Sequence, residues 1–256
     1  MKKTINVFYI CIATMACFYP ASAFAIGGIS SYTINELHMQ IDIPSELKTI
    51  TRDSISDEQA INDMGFDIPY MREYFASENI YLNAISDDTS YEIVIAMSSD
   101  EGTKQAWNLH DHNDSEINKA VVAIGKALEK QGLTFSINSI YKTAHVIFIV
   151  IDSELMQDDT MCYQRQYFTV VNGQGINIKA IVYGRPINEE LADMYKTIID
   201  SITFNEIQEN PDPSGIRRAI TNNLRGVLIS GVGGASIGMI TFIILRKTQP
   251  KNRMSL

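Results

Sequence analysis

Apolar and polar positions alternate through much of the middle of this chain, and they segregate into uniform runs near its two ends. Residues 36–43 put Leu37, Met39, Ile41 and Ile43 on one side of an extended segment, which predicts a strand. Residues 80–86 and 91–98 predict two more, joined by Asp87-Asp88-Thr89, a turn composition. Residues 134–141 and 144–152 continue the series, the second apolar enough for a central strand. Residues 161–171 and 176–183 flank Asn172-Gly173, the strongest hairpin signal in the chain because that turn needs positive φ.

Between the strands the period changes to that of a helix. Residues 57–64 and 69–77 predict short helices, with Ser54 and Asp57 spaced as a capping box and Pro69 suited to a first turn. Residues 116–131 line up Ile117, Ala120, Val121, Ile124, Ala127 and Leu128 as one apolar stripe. Asn113 with Glu116 marks its start, Lys130 suits its negative end, and Gly132 can close it left-handed. Residues 188–202 predict a last helix that buries Ile187, Leu191, Met194, Tyr195, Ile198 and Ile202, with Glu189 and Glu190 at its positive end. Strands joined by short turns pair antiparallel. The expected fold is therefore α+β, a central and mostly antiparallel sheet flanked by helices in an α/β/α sandwich.

The two ends set the address. Lys2 and Lys3 precede an apolar stretch, and small residues follow it at Ala21, Ala23 and Ala25, the three parts of a secretory signal over residues 1–25. Cleavage would fall before Phe24 or Ile26. Cys17 after Ala16 leaves a lipoprotein signal as the rival reading, although Thr14 and Met15 fit it poorly. Residues 226–245 carry no charge, and a helix of that length spans roughly 30 Å, the hydrocarbon thickness of a bilayer. Arg246 and Lys247 close the run and open a tail, 246–256, that holds no acid. The expected layout is an exported domain over 26–205, a linker and basic juxtamembrane segment over 206–225, one C-terminal transmembrane helix, and a cytoplasmic end. The globular domain then stands outside the cell membrane.

Small residues recur on one face of that helix at Gly226, Ser230, Gly234 and Gly238, a spacing that lets two helices approach closely in lipid. A homodimer or a partner helix would pack there. Glycine is also simply frequent in membrane helices, which is the plainer account of the same stripe.

Charge narrows the partners. All 30 acidic side chains lie between Ile26 and Gly215, against 12 basic ones, so nucleic acid is excluded as a partner. Arg217, Arg218 and Arg225 stand apart from that acidity and would seat the stalk on membrane lipid. Once a signal is removed, Cys162 is the last cysteine, a small hydrophobe in a strand pattern with no partner for an internal disulfide.

Several stretches resemble a known family. Asp67-x-Pro69-Tyr70-Met71-Arg72-Glu73-Tyr74, Asn79-Ile80-Tyr81-Leu82, Tyr91-Glu92-Ile93, Arg165-Gln166-Tyr167-x-Thr169-x-x-Asn172-Gly173 and Ile176-Asn177-Ile178 are similar to the PsbP-like domains that low-GC Gram-positive bacteria export and tether. The resemblance covers roughly residues 32–204. It implies an antiparallel sheet with helices on both sides, and relatives that act by binding other proteins. It carries over no functional residue.

Motifs for chemistry are scarce. Gly234-Ala235-Ser236-Ile237-Gly238 spells a nucleophile elbow but falls inside the apolar run. His110-Asp111-His112 has ligand types without a third ligand at metal spacing, and a loop accounts for it. Asp87-Asp88 and Asp158-Asp159 read as turns, and His145 as a core residue starting a strand. No glycine loop cradles phosphate, so no cofactor is implied. The sequence supports a non-catalytic binding or scaffold domain, with an exported, metal-dependent hydrolase or an accessory subunit of a membrane complex as alternatives.

Overall fold

Seven strands form the larger of two sheets in the computed structural model, which describes residues 28–56, 67–99, 101–129, 134–157 and 159–211. The expected signal, the helix at 57–64, Lys130, Gly132, Asp158 and everything from Arg217 onward lie outside those residues, the small-residue stripe and the flanking basic residues included. Among the described residues no helix is long and apolar enough to cross a membrane.

The elements are β1 (Ile29–Ile34), β2 (Met39–Pro44), β3 (Lys48–Thr51), α1 (Ile68–Ser77), β4 (Ile80–Ile85), β5 (Tyr91–Ser98), α2 (Glu101–Ala106), α3 (Asp114–Glu129), β6 (Thr134–Lys142), β7 (Ile147–Gln157), β8 (Thr160–Val171), β9 (Gln174–Tyr183), α4 (Glu189–Asp200) and β10 (Thr203–Phe204). The large sheet runs β3-β4-β5-β9-β8-β7-β6, and a small one runs β1-β2-β10. Every pair is antiparallel. The α+β class follows from local rules: short turns close β4–β5, β6–β7, β7–β8 and β8–β9.

Turn chemistry explains the sharpest of these. Asn172 and Gly173 take φ of 52° and 74°, both left-handed, as a two-residue hairpin requires. A Cβ on Gly173 would also lie 3.2 Å from the Trp107 ring, so glycine answers two demands there. Helix starts obey the same logic. The Glu116 N–H donates to Asn113 Oδ1 at 3.1 Å while the Asn113 N–H donates to Glu116 Oε2 at 3.3 Å, a reciprocal cap. Asp67 caps α1 through the Tyr70 N–H at 2.8 Å, and Asn188 caps α4 through the Leu191 N–H at 3.0 Å.

One face of the large sheet presents Leu82, Ile93, Ile95, Phe148, Val150, Tyr167, Ile178 and Val182 to the small sheet and to Leu191, Tyr195, Ile198 and Ile199 of α4. The opposite face holds α1 over Val94, Ala96 and Ile181 at one end. At the other end Ala106, Leu109 and Ile117 cover Ile149, Ile151, Phe168 and Val170. One outer layer is therefore part sheet, where helices alone were expected.

Local differences have plain causes. The strand expected from residue 36 starts at Met39, because Asn35–Leu37 forms a 3-10 turn that His38 ends at φ 49°; Leu37 is buried all the same. The partner expected for Ser54 in a capping box, Asp57, lies outside the described residues. The Ser54 hydroxyl accepts from the Thr51 N–H at 2.8 Å and locks the preceding turn. His145 is exposed in the β6–β7 turn, and β7 begins only at Ile147, since Thr143 and Val146 close the turn with a 2.9 Å backbone bond.

Candidate functional site

Strand alternation sends successive side chains to opposite faces, so the register of β6, β7, β8 and β9 says which polar groups share a face. Ser136, Asp152, Arg165 and Ala180 stand opposite one another across the four strands. Ala180 belongs to the core beneath the small sheet and α4, so this column lies on that face. The next column outward holds Thr134, Glu154, Tyr163 and Val182. Ser136, Asp152, Arg165, Glu154 and Tyr163 of these columns, with Ile187, which precedes α4, line a pocket of about 300 Å³.

Arg165 spans the floor as a fork. Its Nε donates to Asp152 Oδ1 at 2.8 Å and its Nη2 to Oδ2 at 2.8 Å, a bidentate pair about one quarter exposed on each side. The Asp152 carboxylate raises the Arg165 pKa, so the guanidinium keeps its charge at any working pH. Glu154 is exposed and forms no ion pair with any described residue.

A second polar group sits on the other face, sealed. Glu92 is 4 % exposed; Asn83 donates to its Oε2 at 2.7 Å and the Tyr183 hydroxyl to its Oε1. Burial raises the Glu92 pKa, while the hydrogen bonds from Tyr183 and Asn83 pull it back. The Tyr74 and Tyr183 hydroxyls are held well above their ordinary value, chiefly by burial and then by the charge of Glu92. On the adjacent strand, opposite Val94, Lys179 is 0 % exposed and pushed down to about 8 by burial, against the opposing pull of Glu78. Gln166 donates to Asn177 beside it.

The chain leaves the domain at the far end from the pocket. Trp107 Nε1 and Asn108 Nδ2 both donate to the Gln208 carbonyl, at 3.1 and 2.8 Å. The Gln208 N–H donates to Asn172 Oδ1 at 2.8 Å, and Asn172 Nδ2 to the Glu206 carbonyl at 2.9 Å. Contacts therefore reach Gln208, past the expected boundary at 205, and strap the outgoing chain to the β8–β9 turn. Arg165 lies seven residues up β8 from Asn172, roughly 23 Å along the strand.

The residues singled out by sequence take other parts. His112 is buried and its Nε2 donates to the Ala106 carbonyl at 3.0 Å, whereas His110 is exposed and pairs with Asp111 at 3.1 Å, so the two rings do not converge. Asp87 pairs with Lys48 at 3.0 Å. Asp88 accepts from the Ser90 N–H at 3.0 Å and from the Ser86 hydroxyl at 2.8 Å, which lowers its pKa and fixes the β4–β5 turn. Cys162 is a thiol 1 % exposed within β8. Among the described residues no group of three His, Cys, Asp or Glu side chains is placed to hold a metal ion. Neither the pocket nor the Glu92–Lys179 face was singled out from the sequence. The available signal was a lone charge within an otherwise apolar central strand, in Tyr91-Glu92-Ile93-Val94 and in Ile178-Lys179-Ala180-Ile181.

No family model matches the chain, and no curated protein matches it. Among solved structures, a crystal structure from Bacteroides thetaiotaomicron VPI-5482 is similar over 73 % of this chain and 50 % of that one, with a TM-score of 0.39 and 10 % identity. The match spans half the length of that protein. The solution structure of the cyanobacterial PsbP, CyanoP, from Synechocystis sp. PCC 6803 is similar over 71 % of this chain and 95 % of that one, with a TM-score of 0.36 and 9 % identity.

Proposed function

We propose that this chain is a non-catalytic binding domain of PsbP-like type, exported and held at the outer face of the cytoplasmic membrane by residues 226–245. The observation that carries the reading is the separation of chemistry from access. An enzyme places its displaced acids and bases in the cleft that substrate enters. Here the buried acid and base shifted toward neutral pH, Glu92 and Lys179, lie on the opposite face of the sheet from the Asp152–Arg165 pair, whereas Arg165 and Tyr167 on the pocket face are shifted away from it. The pocket offers fixed charge and an aromatic wall, which suits recognition. Its place at the end away from the strapped exit turns it toward the medium when the stalk meets the membrane.

The test places a photo-reactive residue at Ser136, in the pocket, or at Glu73, exposed on α1 across the sheet, in the full chain in intact cells. The reading predicts an adduct from position 136 and none from 73, unchanged when residues 226–245 are replaced by a scrambled apolar segment. Equal adducts from both positions, or none from 136, would count against a recognition pocket. An adduct that vanishes with the scrambled segment would instead favour an accessory subunit recruited through Gly226, Ser230, Gly234 and Gly238.

A further inference from the structure

We infer that the pocket takes a small organic cation, an alkylammonium or guanidinium group on an apolar stem, with Glu154 as counter-ion and the Tyr163 ring as wall. This rests on the pocket being the recognition site. Charge within it is largely settled: both fork donors of Arg165 are committed to the two oxygens of Asp152. An anionic ligand would meet a guanidinium already neutralised by Asp152, with only the N–H groups outside that pair left to donate, and the surrounding acidity would repel it besides. Among the described residues, what remains uncompensated is Glu154.

Its neighbour completes the pattern. Tyr163 stands directly opposite Glu154 in the β7–β8 register, which puts the two Cβ atoms about 5 Å apart on one face. A carboxylate beside an aromatic face binds organic ammonium doubly, by charge and by the ring quadrupole. Ile187 supplies the apolar surface for a stem. A volume of about 300 Å³ admits one side-chain-sized group and no more. The same chemistry is offered by a free amine and by a lysine or arginine side chain of a protein.

The experiment reads the Ile187 δ1 methyl by NMR in the full-length chain in a non-ionic detergent, titrated with n-butylammonium, n-butylguanidinium, neutral 1-pentanol and butyrate. The cations are expected to bind about fivefold more tightly than pentanol, with butyrate weakest. Glu154→Gln is expected to erase that preference, Tyr163→Leu to reduce it, and salt at about 0.5 M to shrink it. Blocked lysine binding as tightly as butylammonium would point to a protein side chain, and the free amine binding alone to a small metabolite. Pentanol matching the cations, or a cation preference that survives Glu154→Gln, would overturn the cation inference while leaving the pocket a recognition site. A methyl silent to every probe up to about 100 mM would overturn both.

Discussion

Glu92→Ala is expected to lower the melting temperature by roughly 10 °C, the largest effect of any single change outside the apolar core. The substitution removes the acceptor of one Asn83 amide N–H and of the Tyr183 hydroxyl in a sealed layer, leaving Asn83 its 3.3 Å bond to the Ile93 carbonyl. Each lost partner costs about 1–3 kcal/mol, and the vacated space adds to that. Glu92→Gln is the informative control. Its carbonyl oxygen can accept from Asn83 and its amide can donate to the Tyr183 oxygen, so both contacts are kept with the Tyr183 proton turned elsewhere. It also removes a buried charge, and its cost should be about 1 kcal/mol or less. The sign with pH follows from a pKa raised in the fold. The contribution is present below the unfolded value of 4.5 and is lost as pH climbs through the raised one. Thermal melts of the two variants from pH 4 to pH 7 check this. Equal losses in both would mean that hydrogen bonding to Glu92 is not what the site needs.

Lys179 gives the second large effect, on the alkaline side. Its pKa of about 8 lies below the ordinary 10.5, so the unfolded chain holds the proton more tightly than the fold does. Unfolding takes up a proton between those values, and stability rises with pH across the window. The full span corresponds to roughly 3 kcal/mol, of which about 2 kcal/mol falls between pH 8 and pH 9.5. Above about pH 10 the gain reverses, because Tyr74 and Tyr183 are raised in the fold and their unfolded counterparts ionise first. Denaturant titrations should show the rise in the wild type and a flat profile in Lys179→Met. A slope shared by both proteins would place the proton on another group.

How much of this was legible depended on the distance over which each feature is decided. The Asn172-Gly173 turn and the Asn113–Glu116 cap were readable because positive φ and capping are decided within four residues. The small sheet was not, since β2 finds β10 across the whole domain, with Gln40 opposite Thr203. β1 escaped notice because Ile29, Ser31 and Thr33 face outward and only Ile34 is fully buried, leaving almost no alternation to see. β3 buries Ile50 alone, and α2, with Glu101 and Gly102 at its head, carries no apolar stripe. The pocket lay between these limits. Asp152 and Arg165 fall opposite only once the turn after Gln157 is known, and neither residue is marked by its neighbours. His145 misled for the converse reason: an apolar run continued past it, while the turn bonds of Thr143 ended the strand.

The proposed function requires a domain outside the membrane and a last segment that crosses it. The direct measurement labels two variants of the full chain with a membrane-impermeant maleimide, Met156→Cys at the exposed β7–β8 tip and Ser255→Cys near the end of the chain. Met156 is 63 % exposed while the native Cys162 is 1 % exposed, so the background from the domain should be low. Position 156 is expected to label in intact cells and position 255 only after the membrane is opened. Labelling of 156 only after opening, or of both positions in intact cells, would contradict it.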